Sequence, residues 1–409
     1  MAASAQGSLT PPGTPAPTMK SLSEINEGVT SAVLAGQAAK ASASTAATNA
    51  AGAQTAAQAA ESAANTAATN ASNAVSSASI AATNAANATT AANTAAANAS
   101  AALAAALDAQ DPGIPIRASD LPLTITTPGR YFLAESINFS ATDTNAISIE
   151  TSHVTIDMRG HSLVGPGKAA GSSGDGIRTG KFVDGIAVVN GTVSSWRGNG
   201  ISLIAGGAAN GFLIDRINAV ENGSVGIVGG QSGTISNCAS YNNAFGISAY
   251  IASNIVNCSA YSNDYSGFLT SSFGVNFKNC AAAFNDTDGF YIITGTVIEG
   301  CSATRNRNDG IQVQNGCLVL NNQCYANGID SGTGAGIHAT SGSNRIEGNL
   351  LTSNVTGLDV DSAGNFIVKN SAKANTTNYD ITGTQTIGEI STATGTILDT
   401  VSPWANFEF

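Results

Sequence analysis

The sequence predicts a mainly β chain: a right-handed parallel β-helix solenoid of about 21 residues per rung over roughly residues 114–385, preceded by a long Ala-rich α-helix. Three observations predict it. An Asn recurs at a near-constant spacing through the second half of the chain. Short β-branched runs lie between those Asn residues with no helical spacing. Two Ala columns run without interruption at a seven-residue period in the first half.

The solenoid rests on the Asn spacing. Asn222, Asn243, Asn263, Asn285, Asn306, Asn327, Asn354 and Asn375 follow one another at gaps of 21, 20, 22, 21, 21, 27 and 21 residues. A Gly and an apolar residue usually follow, as in Gly246-Ile247, Gly267-Phe268, Gly289-Phe290, Gly310-Ile311, Gly336-Ile337 and Gly357-Leu358. Five residues before successive Asn stand Cys238, Cys258, Cys280 and Cys301, then Asn322, Asn349 and Asn370. A repeat this short, without helices, leaves room for three short strands and three bends per turn. Asn suits such bends because it tolerates left-handed backbone, and its amides can bond one another up a stack. The predicted structural ladder is therefore Asn243, Asn263, Asn285, Asn306, Asn327, Asn354 and Asn375 beside Cys238, Cys258, Cys280 and Cys301. The 27-residue gap holds an insertion near Ile329–Gly336, read as a projecting loop. The Leu spacing of leucine-rich repeats is absent. Ahead of the repeat, Leu123–Leu133 reads as strand, turn, strand, and Val154, Ile156 and Met158 share a strand face.

Four segments follow in order. Residues 1–28 are an extended Pro-containing arm. Residues 29–110 are the Ala-rich heptad helix, ended by Asp111-Pro112-Gly113. Residues 111–385 form the β-helix, and residues 386–409 a C-terminal cap or tail. In the helix, one Ala column runs from Ala32 to Ala102 and the other from Ala43 to Ala106, offset as an a/d seam. Its central positions are the predicted assembly residues: Ala43, Ala46, Ala50, Ala53, Ala57, Ala60, Ala64, Ala67, Ala71, Ala74, Ala78, Ala81, Ala85 and Ala88. A methyl group buries little area at about 25 cal/mol per Å², so many heptads must act together and the helix needs a partner.

Charge narrows the function. Only 11% of residues are charged and the net charge is −11. No Lys/Arg cluster offers a phosphate-binding surface, so nucleic acid is not an expected partner. No apolar run is long enough for a transmembrane segment. Residues 1–20 lack the apolar core of a signal peptide, yet the expected location is extracellular, cell-surface or virion-associated. The Cys column reads as a stack of buried small side chains, not a metal site, since a linear stack does not converge.

For catalysis the candidates are Asp264, Asp286, Asp288 and Asp309, with Arg305 and Arg307 at the same bends. Asp288 and Asp309, 21 apart, should stack. Carboxylates one rung apart approach the separation of about 5–5.5 Å used by retaining glycosidases, and such carboxylates are also where Ca²⁺ would bind. No other cofactor is expected. His153, His161 and His338 look scattered, with no evident partner. Tyr241, Tyr261, Phe284 and Tyr325 precede the Asn column and read as bend covers, with a sugar-stacking strip as the alternative.

The repeats, with Val154-Thr-Ile-Asp-Met-Arg-Gly-His, resemble right-handed parallel β-helix proteins of the pectate-lyase-like superfamily. The Leu9-Thr-Pro-Pro-Gly head and Pro403-Trp-Ala-Asn-Phe tail resemble uncharacterised bacterial members. The Ala heptads resemble the shafts of phage tail fibres. This fold hosts lyases, hydrolases, adhesins and fibres, so the resemblance implies architecture more than activity. The leading expectation is a non-enzymatic structural protein forming a fibre, filament or surface appendage, a homo-oligomer through its Ala-rich helix, with glycan contacts along the rod. The alternatives are a polysaccharide lyase or glycoside hydrolase on the same rod, and a carbohydrate-binding adhesin.

Overall fold

The computed structural model describes residues 26–35, 37, 62, 65–67, 69–70, 113–169, 174–204, 206–392 and 402–409. The chain divides into two units, Met1–Asp111 and Pro112–Phe409. In the first, every described residue is helical. The hydroxyls of Thr30, Thr66 and Thr69 donate to carbonyls four residues back, on Asn26, Ser62 and Asn65, as helical Thr does. Of the predicted assembly residues only Ala67 is described; the rest of the Ala seam lies outside the described residues.

The second unit is a solenoid of parallel strands. A typical rung carries three of them: Thr234–Ser236, Ala239–Tyr241 and Phe245–Ser248. The first two of each rung belong to a 24-stranded sheet, and the third to a 12-stranded sheet running from Leu123–Ile125 to Thr377–Ile381. Near the N-terminal end, Ala187–Ser194 and Leu213–Val220 continue across the first bend as eight-residue strands, with Asn190 and Arg216 at positive φ in the bend. They join both strand rows into one sheet.

Strand alternation puts one residue of each strand inward, and parallel register stacks these into columns. Ile235, Ile255, Phe277, Ile298, Val319, Ile346 and Ile367 form one. Ile177, Ile201, Ile227, Ile247, Phe268, Phe290, Ile311, Ile337 and Leu358 form another. Between them the middle strands contribute mostly small residues: Ala260, Ala282, Ala303, Cys324, Leu351 and Ala372. The Phe268 and Phe290 rings stack at 4.8 Å, the strand spacing itself, and Phe277 meets both edge-on.

The bends separate two roles that the sequence reading merged. The left-handed residue is the one before each ladder position. Asn237, Asn257, Asn279 and Asn321 take positive φ at one bend, and Asn242, Ser262, Phe284, Arg305, Ala326, Ser353 and Ala374 at the next. Side chains as unsuited as Phe and Arg are forced into that conformation, at about 1–2 kcal/mol each. Asn is selected at the ladder position for its amide instead. Asn285 shows the unit. Its Nδ2 donates to Asn306 Oδ1 (2.8 Å) and to the Ala260 carbonyl (3.3 Å), and its backbone N–H donates to the same Asn306 oxygen (3.2 Å). The pattern runs from Asn222 through Asn243, Asn263, Asn285, Asn306, Asn327 and Asn354 to Asn375.

A second ladder starts where the cysteines end. Cys301 N–H donates to Asn322 Oδ1, and Asn322, Asn349, Asn370 and Asn406 follow. Asn406 reaches this column from Asn406–Glu408, a strand that pairs with Ser371–Lys373. A third, shorter ladder joins Asn344, Asn365 and Gln385. The glycine after the second bend is required by close approach: a Cβ on Gly310 would sit 2.6 Å from the Gly336 carbonyl and 2.8 Å from Asn327 Nδ2. All six cysteines are buried and free. Cys324 faces the middle inward column, while Cys317 sits at the bend before Leu318–Leu320, donating its N–H to Asn344 Oδ1.

Candidate active site

The 12-stranded sheet turns alternate residues to solvent. Register lines up Leu269, Tyr291, Gln312, His338, Asp359 and Asp380 in one outward row, continuing from the buried Ser248. The row starts neutral and ends acidic. His338 lies on Ala335–Ala339 and Asp359 on Thr356–Val360. Asp361, just past that strand, is 54% exposed, against 31% for Asp359 and 22% for His338.

Behind the row lies a buried layer. Asp288 and Asp309 occupy the position before the close-approach glycine on successive rungs, and both are buried. Asp288 Oδ1 accepts the Asp309 N–H (3.1 Å) and an Asn308 Nδ2–H (2.8 Å). Asp309 Oδ1 accepts the Ala335 N–H at 2.7 Å, and its Oδ2 meets His338 Nδ1 at 2.9 Å. On the other side of the ring, Nε2 faces Asp361 Oδ2 at 3.0 Å and Asp359 Oδ2 at 4.0 Å. The imidazole is thus held between a buried carboxylate and two that reach water.

The charges follow from this packing. The hydrogen bond to Asp309 raises the His338 pKa to about 9, against the opposing effect of burial and with help from Asp361. Burial, then the neighbouring Asp309, pushes Asp288 up to about 6. Burial also raises Asp359, with Asp361 and Asp380 adding to it and His338 opposing.

Two of the four sequence candidates meet here, Asp288 and Asp309. Asp286 is exposed at its bend. Asp264 is exposed and pairs with Lys168 Nζ at 2.6 Å. His338 does have partners, contrary to the sequence expectation. The inserted loop shifts it to 26 residues after Gln312, off the 21-residue spacing. The signal available was Asp359 and Asp380, which follow it at 21-residue intervals. Tyr241, Tyr261 and Tyr325 face outward from the 24-stranded sheet, away from this row; Tyr261 packs on Phe284 at 5.4 Å. Asp157 Oδ1 accepts the Arg159 N–H and an Asn190 amide hydrogen, as a turn residue does. Among the described residues no helix is long and apolar enough to cross a membrane.

The right-handed β-helix region family matches residues 179–317 and 227–376. The A-module of the mannuronan C-5 epimerase AlgE6 of Azotobacter vinelandii is similar in structure, with a TM-score of 0.54 and 14% identity, over 70% of this chain and 86% of that one. The A-module of AlgE4, a mannuronan C-5 epimerase of the same organism, gives a TM-score of 0.48 at 16% identity, over 61% and 84%. No curated protein sequence matches the chain. Identities this low speak to fold. Column register, three-strand rungs and the family match agree: the second unit folds as a right-handed parallel β-helix.

Proposed function

We propose that the β-helix is a polysaccharide-cleaving enzyme, a lyase or a glycoside hydrolase, acting on the outward row around His338. The observation that carries this is the convergence of one imidazole with carboxylates from successive rungs, on a strand row open to solvent. Proton transfer needs groups that a substrate can reach. His338, Asp359, Asp361 and Asp380 are reachable; Asp288 and Asp309 are not. Asp359 and Asp380 are register partners on adjacent strands, so their side chains stand about 5 Å apart. That matches the separation of about 5–5.5 Å in retaining glycosidases. In a retaining hydrolase these two are the candidate acid/base and nucleophile, with His338 as the positive centre beside them. Asp309 positions the ring and Asp288 supports Asp309. Tyr291 and Gln312 continue the row and offer a ring face and an amide to a sugar chain. Export to the cell exterior belongs to this reading, since polysaccharides lie there.

The test is a panel of neutral and acidic polysaccharides incubated with the purified chain, scored for new reducing ends and for unsaturated products. Cleavage of at least one member, lost in His338→Ala and Asp359→Asn, is expected. No product from any member, or full turnover by both variants, would contradict the proposal.

A second reading concerns the first unit, and the Ala columns favour it. The heptad segment assembles the chain into an oligomer or filament that displays the β-helix. Sedimentation of the full chain against one lacking residues 1–110 tests it: a monomer in both cases sinks the idea.

A further inference from the structure

We propose that His338 Nε2, Asp359 Oδ2 and Asp361 Oδ2 bind one divalent transition-metal ion, with Zn²⁺ preferred over Ca²⁺. One ligand atom from each residue lies within 4.8 Å of the other two. Tetrahedral ligands at about 2.1 Å from a shared ion stand about 3.4 Å apart. The present separations from Nε2, 3.0 Å to Asp361 and 4.0 Å to Asp359, need shifts of well under an ångström.

Two further observations point to a cation. The first stands behind the ring. Asp309, with a side chain only 3% exposed, holds Nδ1 at 2.9 Å while the Ala335 N–H fixes its other oxygen. A carboxylate on one ring nitrogen fixes the ring and turns the other nitrogen outward, which is how metal-ligating imidazoles are held. The second is charge. Asp309, Asp359 and Asp361 face one imidazole, with Asp288 behind Asp309 and Asp380 beside Asp359 on the next strand, and no Lys or Arg joins the ion pairs of this group among the described residues. A divalent ion meets that excess better than a single proton does. Imidazole with carboxylates suits Zn²⁺ and its first-row neighbours, whereas Ca²⁺ takes oxygen ligands alone.

Binding is a substitution: the ion takes the Nε2 lone pair and any proton there leaves to solvent. It also occupies an oxygen of Asp359. Zn²⁺ would therefore inhibit the cleavage proposed above. That consequence rests on the proposed function, while the site itself does not.

The experiment uses the full chain, stripped with chelator and dialysed separately against Zn²⁺, Mn²⁺ and Ca²⁺. Bound metal is measured by elemental analysis, and the melting temperature is recorded with and without each ion. One Zn²⁺ per chain, with a raised melting temperature, is expected for wild type. His338→Ala and the double variant Asp359→Asn/Asp361→Asn lose both effects while keeping the β-sheet circular dichroism of the wild type. Asp309→Asn weakens binding about 10–100-fold, and Asp264→Asn binds as wild type does. Substoichiometric Zn²⁺ in wild type, unchanged binding in the ligand variants, or Ca²⁺ retained in preference to Zn²⁺ overturns the proposal. Metal binding with no polysaccharide cleavage by the metal-free chain leaves this site standing and removes the proposed function. Cleavage without metal binding does the reverse.

Discussion

The same rungs carry two polar systems of opposite design. Inside, Asn285, Asn306, Asn327 and Asn354 are buried, and each amide spends its hydrogen-bonding capacity on the rungs above and below. Outside, His338, Asp359, Asp361 and Asp380 stand on the 12-stranded sheet with carboxylate oxygens turned to solvent. The ladder is closed and repetitive, so it can only support the rod. The outer row is open, confined to three rungs and joined to a buried carboxylate layer that no regular rung needs. The difference separates structural from chemical polarity: what matters is whether neighbouring rungs already use up a group's bonds.

The largest effect should come from breaking the ladder. Asn306→Ala strips the acceptor from the Asn285 N–H and Nδ2, and leaves the Ala282 carbonyl and Asn327 Oδ1 each short of a donor. Buried unsatisfied groups cost about 1–3 kcal/mol each, so chemical denaturation should show a loss of about 3–6 kcal/mol. A loss below about 1 kcal/mol would mean the ladder is ornamental and erase the comparison. Next is His338→Ala. It should cut polysaccharide turnover by about 100-fold or more, equal to about 2.7 kcal/mol, and also lower the unfolding free energy, because the buried Asp309 carboxylate loses its ion-pair partner.

Asp288→Asn tests the buried layer between the two. The folded protein holds the Asp288 pKa at about 6, above its ordinary 3.8. Between those values the native state binds more protons than the unfolded chain, so this group's contribution to stability falls as pH rises through 6. Asn can still accept from Asp309 N–H and Asn308. The variant should therefore gain about 1–3 kcal/mol over wild type at pH 8, and nothing at pH 4. A gain that does not depend on pH would contradict the assignment. The smallest effect belongs to Asp264→Asn. Its pair with Lys168 is exposed, so stability should change by less than about 1 kcal/mol, with turnover unaltered.

The rod was legible because its ladder demands one residue type at one spacing. Asn243 to Asn375 announce the rungs, and the Gly that follows all but the last marks where the next rung presses close. What escaped notice lies where the spacing breaks. Asn406 completes the second ladder 36 residues beyond Asn370, so no period reveals it. The Asn344, Asn365 and Gln385 ladder occupies a bend that earlier rungs fill with Ser253, Val275, Thr296 and Cys317, too varied to read as a column. His338 was hidden by the inserted loop, which offsets it from Gln312, although that loop brings the Ala335 N–H to Asp309. Charge patterning drew attention to Asp264 and Asp286, which face water at their bends, because sequence alone does not separate a solvated Asp from one in the layer under His338.

The central claim is that the outer row is chemical and the ladder is not. Product formation from the polysaccharide panel, measured side by side for wild type, His338→Ala and Asp264→Asn at matched folded concentration, tests it most directly. The account predicts cleavage by wild type and Asp264→Asn and its loss in His338→Ala. Equal activity in all three, or none from wild type on any polysaccharide, would contradict it.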